Sequence, residues 1–263
     1  MRTTRHPDAC SHCAGRGAAR FKGAITMAFQ PIFDLTTGGV WAQEALVRGR
    51  EGQGAAEVLA GLGDAALYGF DQECRITAIQ LAARLGLDAA LSINFMPNAV
   101  YDPRTCIQRT LWAAETTGFP IENLIFEFSE TERVRDTAHV RNIVDAYRAM
   151  GFRTALDDFG AGHSGLSLLA EVLPDIVKLD RALVAGIDRS PARRAILRGV
   201  QTLCADLGID LVAEGVERPE ELAVLAGAGV TLIQGWLLAR PVFEGLQTAP
   251  DHPLAPRAEA SAA

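Results

Sequence analysis

Along the chain, short apolar runs rich in β-branched and aromatic residues alternate with longer stretches whose apolar positions recur every three or four residues. The short runs fall at 26–33 (TMAFQPIF), 40–47 (VWAQEALV), 90–95 (ALSINF), 123–128 (NLIFEF), 153–158 (RTALDD), 175–180 (DIVKLD), 209–214 (IDLVAE) and 230–235 (VTLIQG), eight candidate strands. Between them, residues 139–150 place Val140, Ile143, Val144, Tyr147 and Met150 on one helical face, with Gly151 as a stop. Residues 191–207 predict a second helix with Ser190 as N-cap, Pro191 in the first turn and Gly208 at its end. Ile196, Val200, Leu203 and Leu207 are its expected inward face. Alternation of strand and helix argues for a parallel sheet, and eight strands argue for closure into a barrel.

One connection departs from that rule. Only DLTTGG (34–39) separates the first two runs. A parallel crossover needs a dozen or more residues, so this pair is expected to form an antiparallel hairpin with Gln30 opposite Glu44. The pattern therefore predicts an α/β fold, a modified TIM-like (β/α)8 barrel whose first strand is antiparallel to the rest. The expected organisation is a flexible lead at 1–22, the barrel at 23–246 and a disordered, Pro- and Ala-rich tail at 247–263.

The 263 residues are 49% hydrophobic and 22% charged, which excludes disorder, collagen and coiled coil. Lys and Arg number 25 against 32 Asp and Glu, a net charge of −7. Such a chain is poorly suited to DNA, RNA or an anionic membrane, and cations would have to bridge it to an anionic substrate. The charge-free stretch from Leu222 to Ala239 is broken by Gly227, Gly229, Thr231, Gln234 and Gly235. It reads as a helix end, a turn and a strand, not a membrane span. Five scattered cysteines, and no apolar leader in the N-terminal residues, point to the cytoplasm.

Candidate chemistry lies at the carboxyl ends of the strands: Glu44, Asn94, Glu127, Asp157 with Asp158, Lys178 with Asp180, Glu214 and Gln234. In an α/β barrel that edge carries the active site. A single such residue would read as a helix cap or solvated loop group, but seven strands ending in polar groups exceed what capping needs. In LIFEF and LVAEG the carboxylate follows apolar residues, where a lone buried charge is costly unless paired or metal-bound. Oxygen donors without clustered His or Cys favour Mg²⁺ or Mn²⁺ over zinc. Adjacent aspartates suit a two-metal site in which one bridges the ions.

These residues carry a family resemblance. Glu44-Ala45-Leu46-Val47-Arg48, with FQPI (29–32) before it and SINF, EFSE, DDFGAG, VKLD, AEGVE and QGW after it, resembles the EAL-domain cyclic-di-GMP phosphodiesterases in order and approximate spacing. The resemblance covers about residues 25–245 and implies a barrel with one antiparallel strand. It implies hydrolysis of cyclic di-GMP to linear pGpG by a water activated between two metal ions, Mg²⁺ or Mn²⁺, in a homodimer. On it, Glu44, Asn94, Glu127 and Asp157 match ligands of the first ion. Asp157 and Asp158 match those of the second, with Glu214 close by. Lys178 and Glu214 match the catalytic groups, Glu214 as general base. Gln30, Leu46 and Arg48 match substrate contacts, and Glu130, Asp180, Glu217 and Gln234 supporting residues. The chain departs from the family in FGAGHSGLS, with Ala161, His163 and Gly165 where Thr, Tyr and Ser are usual. The alternative is a catalytically silent cyclic-di-GMP receptor that signals through protein partners; such relatives usually lack one or more metal ligands, and none is missing here.

Other signals carry less. Cys10-Ser11-His12-Cys13 is half a zinc site with no second pair nearby. Asp158-Phe159-Gly160 imitates a kinase triplet without the other kinase motifs. Cys74, Cys106 and Cys204 read as core residues on helix faces, and the four arginines from Arg189 to Arg198 as one solvated helix face.

Overall fold

Eight strands close into a barrel in the computed structural model, which describes residues 24–60, 62–132, 136–162 and 165–254. They are β1 (Ile25–Asp34), β2 (Val40–Gly49), β3 (Ala90–Asn94), β4 (Leu124–Ser129), β5 (Arg153–Phe159), β6 (Ile176–Leu179), β7 (Asp210–Ala213) and β8 (Leu232–Ile233). From β2 to β8 each strand pairs in parallel with the next. β1 closes the ring and runs antiparallel to both neighbours, with Gln30 opposite Glu44 on β2 and Phe33 opposite Ile233 on β8. The expected hairpin is present. Its turn is held by the Asp34 carboxylate, which accepts from the Thr36 amide at 2.8 Å, and by Gly38 at φ +76°. A ninth strand, β9 (Val242–Phe243), pairs with β1 at Ala28 and Phe29 and was not legible in the sequence, being only two residues long.

One layer inside the barrel explains where the site lies. Ile32, Ala42, Ala90, Ile125, Ala155, Ile176, Val212 and Leu232, one from each of the eight strands, form a single buried apolar cluster. Strand side chains alternate faces, so the residue two positions nearer the carboxyl edge of each parallel strand also points inward. Those residues are Glu44, Ser92, Glu127, Asp157, Lys178, Glu214 and Gln234; on β1, which runs the other way, the counterpart is Gln30. An apolar plug thus supports a polar ring. The second and larger core lies outside the barrel, between strands and helices.

The helix at Thr137–Ala149 buries Val140, Ile143, Val144 and Tyr147 as expected, capped by the Asp136 carboxylate. The helix at Pro191–Leu207 has the expected Ser190 and Gly208 caps but is rotated from the expected face. Leu197, Val200 and Cys204 are buried, whereas Ile196 and Leu207 are 45% and 43% exposed. Both stripes satisfy helical spacing, and the wide spread of apolar residues left the choice to packing. Its arginines are not one solvated face. Arg193 donates to the Ala185 carbonyl, and Arg194 to those of Ile187 (3.0 Å) and Asp188 (2.8 Å), satisfying the turn before the helix. Cys74, Cys106 and Cys204 are buried. No described helix is long and apolar enough to cross a membrane.

The expected lead, with the Cys10–Cys13 pair, lies outside the described residues, as does His163. Of the expected tail, residues 247–254 are described. They contain neither helix nor strand, and Gln43 donates to the Gln247 carbonyl at 2.8 Å.

Candidate active site

Four strands deliver carboxylates to the Lys178 ammonium on β6. Its Nζ lies 2.7 Å from Glu214, 2.8 Å from Glu127, 3.2 Å from Asp157 and 3.3 Å from Glu44. Lys178 and Glu127 are each about 1% exposed. Burial pulls the lysine towards neutrality, but the surrounding carboxylates outweigh it and hold the ammonium well above its ordinary pKa. Burial, with Glu44 and Asp157 adding like charge, pushes Glu127 up to about 8 despite Lys178. Burial and Asp157 also raise Glu214 well above the carboxylate range.

Glu44, Glu127 and Asp158 are further aimed by neutral side-chain donors. Glu44 accepts from the side chains of Asn94 (3.1 Å) and Gln234 (2.8 Å). Glu127 accepts from Ser92, and Asp158 from Ser129 at 2.6 Å. The sequence reading did not assign Ser92 and Ser129. The signal was available, since Ser92 is two residues before Asn94 and shares its face.

Asp157 and Asp158 are neighbours, and in a regular strand they would point to opposite faces. Here the β5–β6 register shifts between Leu156 and Phe159, and Asp158 adopts φ +56°. This left-handed conformation is one that Asp tolerates better than most residues, and the irregularity re-aims its side chain. Two carboxylate groups result. Oxygens of Glu44, Glu127 and Asp157 lie within 4.8 Å of one another, and so do those of Asp157, Asp158 and Glu214. Asp157 belongs to both. Four carboxylates pair with one ammonium and Asp158 adds a fifth, and this oxygen-only donor set with surplus negative charge fits hard divalent cations.

The other expected residues are distributed around this centre. Gln30 donates to the Ala239 carbonyl at 3.1 Å, and Arg48, half-buried, to that of Val47 at 2.8 Å. Glu130 accepts from the amides of Gly160 (2.8 Å) and Gly165 (2.7 Å), spanning the loop after Asp158. Asp180 caps the short helix at Arg181–Val184, and Glu217 pairs with Arg181 at 3.0 Å. Asp180 and Glu217 thus stand at the rim and do not join the carboxylate cluster. At Gly235 an added Cβ would lie 2.1 Å from the Val216 carbonyl oxygen, so only glycine lets β8 approach the loop that carries Glu214.

Two clefts meet at the cluster. One, about 530 Å³, runs over Asp157, Asp158 and Glu214 to the exposed Trp236, whose ring lies under the Arg240 guanidinium at 4.8 Å. The other, about 410 Å³, is lined by Leu46, Val47, Leu59, Phe70 and Met96, with Glu44, Asn94 and Asp157 at its inner end. Clefts of these sizes suit small ligands, with apolar walls and a few convergent polar groups.

The sequence profile of the EAL domain family matches residues 18–241. Among curated proteins, the blue light- and temperature-regulated antirepressor BluF of Escherichia coli K12 is 30% identical over 220 residues, covering 83% of this chain and 55% of BluF. The cyclic di-GMP phosphodiesterase RocR of Pseudomonas aeruginosa is 34% identical over 162 residues, covering 62% of this chain and 41% of RocR. The chain spans about half the length, or less, of these curated relatives. A standalone versatile EAL protein from Vibrio cholerae O395, solved in a c-di-GMP bound form, superposes with a TM-score of 0.83 at 48% identity. That match covers 86% of this chain and 95% of the other. Klebsiella pneumoniae BlrP1, solved as a manganese/cy-diGMP complex, gives 0.81 at 35% identity, covering 86% and 58%.

Proposed function

The chain belongs to the EAL domain family, and from that premise we propose that it is a divalent-metal-dependent phosphodiesterase hydrolysing cyclic di-GMP to linear pGpG. The observation that carries the reading is the pair of carboxylate groups joined through Asp157 and held about Lys178. In this reading Glu44, Asn94, Glu127 and Asp157 hold one ion, and Asp157, Asp158 and Glu214 the other. Two such ions would supply an activated water and neutralise the phosphate, which would resolve the repulsion between an acidic site and an anionic substrate.

The protein's own groups do the rest. Glu214 takes the proton from the attacking water, a role suited to a carboxylate whose pKa burial and Asp157 already raise. The Lys178 ammonium stabilises charge that develops on the phosphorus oxygens. Arg48 offers a guanidinium to the phosphate, Gln30 a carboxamide, and Leu46 an apolar wall for the base. Glu130, by tying Gly160 to Gly165, keeps Asp158 aimed at the centre; Asp180, Glu217 and Gln234 fix the strand ends around it. The barrel at 23–246 is the working unit, a cytoplasmic homodimer with no nucleic-acid polymer or membrane partner.

A second reading has one observation in its favour, the match to a protein known as an antirepressor. In that reading the site of this chain would bind cyclic di-GMP and signal through a protein partner without turnover. Incubation with cyclic di-GMP and Mg²⁺ or Mn²⁺, with an EDTA control and chromatography of the products, separates the two. Metal-dependent pGpG is the expected result. Intact substrate with tight calorimetric binding would replace the enzyme by the receptor.

A further inference from the structure

Behind the strand that carries Asn94 lies a buried ionic network. Arg75, on the helix at Asp64–Arg84, is 0% exposed. Its Nη2 lies 2.6 Å from Asp71 Oδ2, and its Nη1 donates to the Tyr147 hydroxyl at 2.9 Å. Its guanidinium carbon is 5.3 Å from the ring centroids of both Phe95 and Phe126. The second oxygen of Asp71 accepts from the Met96 backbone amide at 3.0 Å. The Phe95 amide meanwhile donates to the Glu127 carbonyl at 2.8 Å. The residues that follow Asn94 are therefore fixed from both sides, by β4 and by Asp71.

A buried ion pair is a poor choice for stability alone, because desolvation offsets the attraction and apolar replacements are often neutral or better. What it supplies is direction. The Asn94 side chain is exposed and reaches only Glu44 among the hydrogen bonds described, so its aim depends on the backbone that carries it. We propose that Asp71, Arg75 and Tyr147 are positioning residues that fix the Asn94–Met96 segment and so preorganise Asn94 as a ligand of the first metal ion. This rests on the reading of Asn94 as a metal ligand. None of the three residues belongs to either carboxylate group, so the network acts through Asn94 and favours the first ion over the second.

The test uses the full chain stripped with EDTA, and three measurements: Mn²⁺ calorimetry, thermal melting, and amide hydrogen exchange at Met96. Asp71→Leu/Arg75→Met removes both charges together, and Tyr147→Phe removes one hydroxyl. The double variant is expected to melt within a few degrees of the parent and to bind the first Mn²⁺ about 10–100-fold more weakly, as loss of outer-shell partners typically does. The second site should change much less, whereas a merely structural defect would weaken both alike. Tyr147→Phe, which does not touch Met96, should speed Met96 exchange and weaken the first ion by a smaller factor. Parent-like affinities at both sites in a folded double variant overturn the proposal. If that variant does not fold, Tyr147→Phe decides, and parent-like affinity with parent-like exchange overturns it. Should the parent bind no Mn²⁺, the metal reading of the site falls, and Met96 exchange in Tyr147→Phe still decides whether the network fixes the segment.

Discussion

At Lys178 one buried ammonium balances four carboxylates. Lys178→Met should therefore destabilise the metal-free protein more than the metal-loaded one. Removing one partner of a buried ion pair costs about 3–5 kcal/mol, roughly 6–20 °C of melting temperature for a domain of this size. Added Mn²⁺ should recover more of it than it adds to the parent, because cations then replace the missing charge. Equal metal-free melting of the two proteins would remove Lys178 from this role. Glu127 makes a second residue-level prediction. Its carboxyl titrates at about 8 in the folded state against 4.5 ordinarily. Between those values the metal-free folded protein keeps a proton that the unfolded chain has released. The stability this contributes is full below about pH 4.5 and is lost as pH rises through about 8. A divalent ion bound by Glu127 must expel that proton, so Mn²⁺ binding at pH 7 should release protons. Calorimetry in buffers of different ionisation heat measures the release, and buffer-independent heats would contradict it. These charged residues were legible because each breaks an apolar run at a strand end. Ser92 was legible only through its parity with Asn94, and Ser129 and the Arg75 network were not, since a lone hydroxyl and one arginine inside a helical stretch give no such contrast.

Among the elements, β5 converts sequence adjacency into a shared site. Asp157 points inward by strand parity, and Asp158 joins it only because the strand loses register there and turns through φ +56°. Asn tolerates that conformation as well as Asp does, so Asp158→Asn alters charge while preserving shape. It should weaken the second Mn²⁺ at least about tenfold and leave the first nearly unchanged. Equal losses at both sites by calorimetry would deny Asp157 its shared position. The parity of eight strands, and the hairpin forced by a six-residue connection, could be read from pattern because both follow from covalent geometry. The bulge, the two-residue β9 and the face of the Pro191–Leu207 helix could not. Each is settled by contacts between segments distant in sequence, as when Leu197 and Cys204 displace Ile196 and Leu207 from the core.

For the whole molecule, the proposed ligands come from β2, β3, β4, β5 and the end of β7, so one pair of ions would tie together most of the ring. The molecule is acidic overall, with net charge −7, and the ring concentrates five carboxylates at one end of the barrel. Repulsion there opposes closure of the carboxyl edge, and cations relieve it. Binding to the folded state alone raises stability by mass action, about 2.7 kcal/mol for one site at a hundredfold excess over Kd. That corresponds to roughly 5–11 °C. Melting of the wild-type protein should therefore rise by about this much on adding Mn²⁺ and fall back with EDTA. In Glu44→Ala the rise should shrink, because a ligand of the first ion is gone while the apolar plug beneath it is intact. Turnover should fall more than about 100-fold, beyond what loss of an outer-shell partner costs. A Glu44→Ala protein that kept both its Mn²⁺ shift and its turnover would show that the ring binds cations elsewhere. The strand-end pattern would then mark where the barrel concentrates charge without marking where it does chemistry.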